Sequence, residues 1–303
     1  MPIVTESPAK RLQATMRGQV LADAPLAPYT SFRIGGPATL LATPADREDL
    51  KRALAFARTE RLPVHVLGGG SNTLVRDGGF RGMAIYLNAF QALERRGDAV
   101  AAGAGVRVNR LLAFSCRQGL AGLEILSGVP GTVGGAVWGN AGAWGGATAD
   151  VLATVELVTA AGEERTLWRR EIPFRYRASG LPAGSVVTQA AFALAPGDAT
   201  AIRRRISGYL VRRNVGQPVE FRSAGSIFKN PPGEYAGRLV ERAGLKGTRI
   251  GNAMISAKHG NYIVNLGGAR AADVLALVAL AHERVRDAMG VDLELEIKVV
   301  GEE

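Results

Sequence analysis

The residue types best suited to chemistry begin in two glycine-rich stretches. The first, Leu67-Gly68-Gly69-Gly70-Ser71-Asn72-Thr73, closes a short apolar run with three glycines and small hydrogen-bonding side chains. Consecutive backbone N–H groups in such a loop form a concavity for an anion, and glycine lets a diphosphate approach without a Cβ in the way. No Lys-Ser or Lys-Thr follows, so the stretch is not a P-loop. The second runs Gly128-Val129-Pro130-Gly131-Thr132-Val133-Gly134-Gly135 and on through Asn140-Ala141-Gly142. Pro130 fixes its own φ, and the glycines around it leave an open surface. Two such loops on separate segments suit a long ligand with a central diphosphate, such as a dinucleotide. Taken singly, each also reads as a plain glycine turn.

Charged and hydroxyl groups come next. Arg175-Tyr176-Arg177 offers a planar, permanently ionised guanidinium, the natural stabiliser of negative charge spreading into a carboxylate. By residue type alone these are equally surface arginines on a strand edge. Ser226 stands in Ala224-Gly225-Ser226-Ile227-Phe228-Lys229-Asn230-Pro231, where a lone Gly-Ser first suggests a turn. Glu294 and Glu296 alternate on the closing segment and share one face, so spacing does not choose between them, and both also read as solvated. His259 is a lone histidine, and Arg212-Arg213 read as well as solvated helix charges. Cysteine, histidine and carboxylates never cluster at metal-ligand spacing, so no metal is expected.

The elements that must position these groups follow from periodicity. Ala45 to Glu60 repeats apolar residues at helical spacing; Val108 to Gln118 and Glu234 to Ala243 read as helices, Ala199 to Arg213 as a basic helix, and Ala271 to Met289 as the longest, stopped by Gly290. Leu62 to Leu67, Gly82 to Leu87, Ala99 to Ala104, Val151 to Thr159 and Ser185 to Leu194 read as strands. Asp292 to Val300 alternates strictly, as a half-buried strand does. Gly103-Ala104-Gly105 imitates a dinucleotide fingerprint, but Val108 fills the third glycine position, leaving a tight strand-to-helix turn. Gly128 to Gly146 reads as neither regular helix nor strand. Strands and helices interleave without a β-α-β period, which predicts an α+β chain of more than one domain. Boundaries fall near Met83 and Ser207: subdomains 1–83 and 84–207, then a domain 208–303 whose last strand is free to cross back.

Read in order, LGGGSNTLV, GVPGTVGGAVWGNAGAWG, IPFRYRAS, SAGSIFKNP and the final LELEIKVVG closely resemble the UDP-N-acetylenolpyruvoylglucosamine reductase family, as does the earlier YTSFRIGGPA. The resemblance spans Tyr29 to Gly301. It implies the FAD-binding fold of vanillyl-alcohol-oxidase-like flavoproteins, with a smaller substrate domain. It implies non-covalent FAD on the two glycine loops and NADPH as reductant. The implied reaction reduces an enolpyruvyl ether on a UDP-sugar, a step of peptidoglycan precursor synthesis. Residue by residue, it makes Tyr176-Arg177 the active-site pair, Ser226 the proton donor and Glu296, rather than Glu294, the catalytic acid. Lys229, Asn230, Arg213 and His259 match substrate-binding positions. The insertion that some relatives carry after the Tyr-Arg motif is missing here, which resembles the shorter subtype.

Composition narrows the classes further. The net charge of +10 rests on scattered arginines in an Ala- and Gly-rich chain, and no nucleic-acid-binding module accompanies it. Met1 to Gln19 lacks the apolar core of a leader, and Cys116 is the single cysteine. Both suit a reducing cytoplasm. A monomer is expected. The competing reading is another flavin oxidase on the same fold, and such enzymes often hold their flavin through a histidine near the first glycine loop. None lies among Gly68 to Thr73, although His65 is close by.

Overall fold

Leu50, Ala53, Leu54 and Ala57 lie buried on one face of the helix Arg47–Thr59, which Asp46 opens by accepting the Asp49 N–H at 3.0 Å. This helix belongs to the first of two compact units seen in the computed structural model, which describes residues 6–303. The opening residues of the Met1 to Gln19 stretch lie outside the described ones. The first unit comprises the chain up to Ala24, Ala38–Gly69 and Arg81–Tyr209. The second comprises Pro25–Pro37, Gly70–Phe80 and Leu210–Glu303. The division near residue 209 falls inside the helix Ala199–Gly216.

The first unit carries a four-stranded sheet in the order Gln19–Pro25, Pro37–Thr43, Phe80–Tyr86, Val64–Leu67, with the last two parallel. A five-stranded antiparallel sheet follows, ordered Glu164–Trp168, Leu152–Val158, Val186–Ala193, Ala99–Gly103, Leu93–Arg96. Leu40, Met83, Ile85, Leu111, Val155 and Phe192 fall in one continuous core. The two edge strands Leu93–Arg96 and Glu164–Trp168 escape sequence reading. Their charged residues face solvent and carry no apolar alternation.

The stretch Gly128 to Gly146, expected to be irregular, contains a helix, Val133–Trp138, and a small antiparallel pair, Gly142–Ala143 with Gly146–Ala147. Glycine disfavours helix, but Val133, Ala136 and Val137 are buried, and that packing outweighs propensity.

The second unit holds a three-stranded antiparallel sheet, Arg249–Ile250, Ala253–Ile255 and Ile263–Asn265, and the helix Ala271–Met289. Gly290 ends that helix at φ 67°, the left-handed cap glycine favours. Asp77 opens it, accepting the N–H groups of Ala271 at 2.8 Å and Ala272 at 3.0 Å. Phe32, Leu74, Ile227, Phe228, Leu277 and Ile297 share this unit's core.

The strand expected over Asp292 to Val300 is regular only at Lys298–Val300, which runs parallel to Thr73–Val75 in the same unit. Upstream, the alternation persists without a ladder. Leu293 and Ile297 are buried, Glu294 is exposed, and one antiparallel bridge joins Leu295 to Phe228. Among the described residues no helix is long and apolar enough to cross a membrane.

Candidate active site

The candidate residues form two groups, one in each unit. In the first, the two glycine loops pack directly on each other. A Cβ at Gly68 would stand 2.4 Å from Thr132 Oγ1, and one at Gly69 would stand 2.5 Å from Gly131 Cα. These glycines are thus required by the approach of loop to loop, before any ligand is considered. Gly134 gives its N–H to Ala104 O at 2.9 Å, and a Cβ there would meet the Ala104 Cβ at 2.9 Å. It therefore seats the helix Val133–Trp138 on the turn after Ala99–Gly103. Thr132 Oγ1, at the loop junction, is buried with no hydrogen-bond partner. A buried hydroxyl left so is costly, and it fits a ligand rich in acceptor oxygens, as a diphosphate is.

The glycine-rich stretch also carries the Tyr-Arg pair. Arg175 and Ala178 exchange backbone hydrogen bonds at 2.8 and 3.1 Å, so Tyr176 and Arg177 form the tip of a two-residue turn. Asn140 Nδ2 donates to Arg175 O at 2.9 Å, and Ser179 N–H donates to Trp138 O at 3.2 Å. The Arg177 guanidinium donates to Gly142 O at 3.2 Å and lies 5.2 Å from the centre of the Tyr176 ring. Asn140, expected at the cofactor, thus spends its amide on the protein, its Oδ1 also accepting the Ala149 N–H at 3.1 Å. Gly142 contributes the carbonyl that steadies Arg177.

Backbone strain gathers here. Asn140, Trp144 and Arg177 adopt φ of 43°, 54° and 58°, three of the six described non-glycine residues in the left-handed region. Each costs about 1–2 kcal/mol. Arg177 occupies the turn position that glycine ordinarily takes. Strain of this kind persists where surrounding contacts impose it, and it concentrates at functional sites.

In the second unit, Ser226 and Glu296 lie on neighbouring stretches of backbone. Glu296 N–H donates to Ile227 O at 2.8 Å, and Ser226 forms an antiparallel bridge with Tyr262. Asn261 locks the same segment, its amide exchanging hydrogen bonds with the Phe228 N–H (2.9 Å) and carbonyl (2.8 Å). Asn72, from the first glycine loop, donates to Glu296 O at 3.0 Å, and its own carbonyl accepts the Lys298 N–H at 2.8 Å. Asn72, expected at the cofactor, therefore fixes the backbone that presents Glu296.

The two glutamates separate in this geometry. Glu294 is exposed and ion-paired with Lys229 Nζ. Glu296 is half-buried and close enough to raise the Tyr262 pKa. Burial is the largest cause of that rise. Arg213 and hydrogen bonds from Ser226 and Arg213 pull the phenol the other way. Tyr262 is the residue sequence reading passed over. Its signal was a polar-tipped aromatic in an otherwise apolar run, two residues beyond Gly260.

The remaining expected substrate ligands are placed as follows. Arg213 lies close enough to Tyr262 to pull its pKa down, which distinguishes it from its neighbour Arg212. His259 packs edge-on against Tyr262 at 4.9 Å, and its Nδ1 accepts the Asn261 N–H at 3.1 Å. Burial, aided by Lys246, lowers its pKa. Asn230 Oδ1 accepts the Ala236 N–H at 3.1 Å, opening the helix Ala236–Arg242. Gly70 sits at φ 57°, where a Cβ would stand 2.1 Å from Tyr29 O.

The chain is also similar to known proteins. Residues 38–167 match the family described as FAD binding domain, and residues 217–300 match the C-terminal domain of UDP-N-acetylenolpyruvoylglucosamine reductase. The chain is 46% identical to the reductase of that name from Moorella thermoacetica, over 97% of both chains. It is 46% identical to that from Geobacter sulfurreducens, over 97% of this chain and 98% of the relative. A solved structure of the enzyme from Thermus caldophilus superimposes with a TM-score of 0.82 at 43% identity, covering 94% of this chain and 100% of that one. The α+β class and the FAD-binding fold expected from the sequence hold.

Proposed function

The chain belongs to the UDP-N-acetylenolpyruvoylglucosamine reductase family and is an FAD oxidoreductase; from that premise we propose how its own residues carry the reaction. The substrate is the enolpyruvyl ether of UDP-N-acetylglucosamine, the product UDP-N-acetylmuramate, and the reductant NADPH. The chemistry supplied by bound FAD is hydride donation. Gly68, Gly69, Gly128, Pro130, Gly131, Thr132 and Gly135 would hold it through the packed loops, and Leu67, Gly70 and Ser71 would complete the first loop. Thr132 Oγ1, buried and unpartnered, is the observation of this chain that supports a diphosphate there.

Hydride arriving at the terminal alkene carbon leaves an electron pair on the adjacent carbon, delocalised into its carboxylate. Arg177 stabilises that charge as a planar donor already oriented by Gly142 O. Tyr176, 53% exposed, covers the guanidinium and meets the substrate. Ser226 gives the proton that completes the saturated carbon, and the Glu296 carboxyl orders the reacting group beside it. Arg213, Lys229, Asn230 and His259 lie on this substrate-binding side of the second unit. The observation that carries the reading is the knitting of Ser226 and Glu296 into adjacent backbone, while Glu294 is exposed and paired with Lys229.

The experiment is anaerobic stopped-flow absorbance of the holoenzyme. NADPH should bleach the flavin band, and the UDP-sugar enolpyruvyl ether should restore it. Ser226→Ala should bleach normally and recover about 10²–10³-fold more slowly. Bleaching of the wild type without recovery would sink the substrate, and normal recovery in Ser226→Ala would sink the role of that serine.

A further inference from the structure

Trp144 and Gly145 form the two-residue tip of the hairpin Gly142–Ala143 with Gly146–Ala147, at φ of 54° and 84°. Positive φ at both tip residues makes the turn that Asn-Gly fills most readily, and a bulky aromatic at its first position is strained. The turn itself has no use for tryptophan, so the reason for the residue lies in its side chain. The indole stacks on Tyr209 with ring centres 4.7 Å apart and planes 15° from parallel, and its Nε1–H donates to Ser127 O at 2.9 Å. Both supports are themselves fixed. Ser127 is fully buried. Arg205, one turn before Tyr209 in the helix Ala199–Gly216, donates through Nε to the buried Glu124 carboxylate at 2.9 Å.

The hairpin braced in this way carries the carbonyl that meets Arg177. Its base is pinned where Ala141 O accepts both the N–H and the hydroxyl of Thr148, at 2.8 and 2.7 Å. Its second strand rests on Ile125, whose Cδ1 would lie 3.0 Å from a Cβ at Gly146. With base and flank fixed, a swing of the tip is the freedom that remains, and the indole removes it. Gly142 O, in the first strand, accepts from the Arg177 guanidinium at 3.2 Å. A planar fork at the end of a long side chain turns with the carbonyl that holds it, and its use on a carboxylate depends on that plane. We propose that Trp144 is a positioning residue for the reaction: its indole is a strut that steadies the Gly142 carbonyl and, through it, aims the Arg177 guanidinium at the substrate carboxylate. This rests on the reading of Arg177 as the group that stabilises the substrate's negative charge.

The test compares Trp144→Asn, Trp144→Phe, Arg177→Ala and the double variant Trp144→Asn/Arg177→Ala, all as FAD-loaded protein, in the two half-reactions. Asparagine tolerates positive φ, so Trp144→Asn keeps the turn and removes the strut. Flavin content and bleaching by NADPH should stay within about twofold of wild type, because neither depends on the aim of Arg177. Recovery at saturating enolpyruvyl ether should fall about tenfold, with the half-saturating concentration moved less than about threefold, since what is lost is geometry in the transition state. Trp144→Phe keeps the stacked ring and loses the N–H bond, so it should recover at a rate between Trp144→Asn and wild type. In the Arg177→Ala background, Trp144→Asn should cost nothing further, since groups acting as a unit are not additive. A tryptophan that served the fold alone would slow both backgrounds alike. Slow Arg177→Ala with wild-type recovery in Trp144→Asn overturns the inference alone, and so does an equal loss in the two backgrounds. Wild-type recovery in Arg177→Ala overturns the reading of Arg177 itself, and this inference with it.

Discussion

The two units hold their reactive side chains by opposite means. In the first, Arg177 is held by backbone: a two-residue turn and the carbonyl of Gly142, where a Cβ would stand 2.2 Å from Gly146 O. In the second, Ser226 and Glu296 are held by side chains: Asn261 grips Phe228, and Asn72 grips the Glu296 carbonyl. The first arrangement stores strain at Asn140, Trp144 and Arg177, and the second stores buried hydrogen bonds. A strained turn fixes a direction for a long, permanently charged group. A hydrogen-bonded knot instead sets the acidity and orientation of groups that must exchange protons. Each device suits the chemistry proposed for it.

The largest expected effect tests the first device. Arg177→Lys keeps the charge but loses the planar fork, so one ammonium must choose between Gly142 O and the substrate. Substrate-driven recovery of the flavin band should fall about 10²–10³-fold while bleaching by NADPH is kept. Equal recovery rates in Arg177→Lys and wild type would mean that charge alone suffices and that the turn's geometry is idle.

Next in size, the second device is sharpened by comparing two glutamates. Glu296→Gln should slow recovery about 10²-fold. Glu294→Gln should change it less than about threefold, because Glu294 is exposed and pairs only at the surface with Lys229. The reverse ranking, read in the same stopped-flow traces, would move the acid to Glu294 and undo the division drawn from burial.

How much of this the sequence disclosed differs between the units in the same way. Helices with a clean apolar face, such as Arg47–Thr59 and Ala271–Met289, were legible almost to the residue, because burial and period coincide there. The short helix Val133–Trp138 was not, since glycine hides helix formation that only packing supports. The glycines of the first loop were legible as a close approach, but not what they approach: Gly68 and Gly69 face another loop of the protein. The roles proposed for Ser226 and Glu296 come from family resemblance; the structure adds that their backbones are neighbours. Asn72 was not legible in its role, because a hydrogen bond between residues far apart in sequence leaves no period or spacing. The difference in burial between Glu294 and Glu296 is not encoded in strict alternation.

A smaller effect separates packing from chemistry in the first unit. Gly69→Ala forces a Cβ toward backbone at Gly131 Cα, which a flexible side chain cannot yield to. Such overpacking costs about 1–3 kcal/mol. The variant should unfold at lower temperature and purify with less flavin, measured by thermal unfolding and by the ratio of flavin to protein absorbance. Its recovery rate per bound flavin should stay near wild type. Unchanged unfolding with intact flavin content would show that the loops do not need the contact.

The smallest effect is a pH slope, and it compares the units through one histidine in each. Burial lowers the pKa of His65 in the first unit, and burial aided by Lys246 lowers that of His259 in the second. A histidine held neutral by the fold binds fewer protons folded than unfolded. Its contribution to stability is therefore complete above the unfolded value of about 6.5 and is lost as pH falls through the lower folded value. The unfolding midpoint should fall as the protein is taken from above pH 6.5 to below it, with His65→Gln and His259→Gln each flattening part of the slope. The His259 variant carries the sharper message, because its ring also braces Tyr262 at 4.9 Å. If that variant loses pH slope and slows substrate-driven recovery while His65→Gln loses slope alone, the side-chain knot of the second unit extends one layer behind Tyr262. A slope untouched by His259→Gln would mean that the ring exchanges protons freely with solvent, and the knot would end at the phenol.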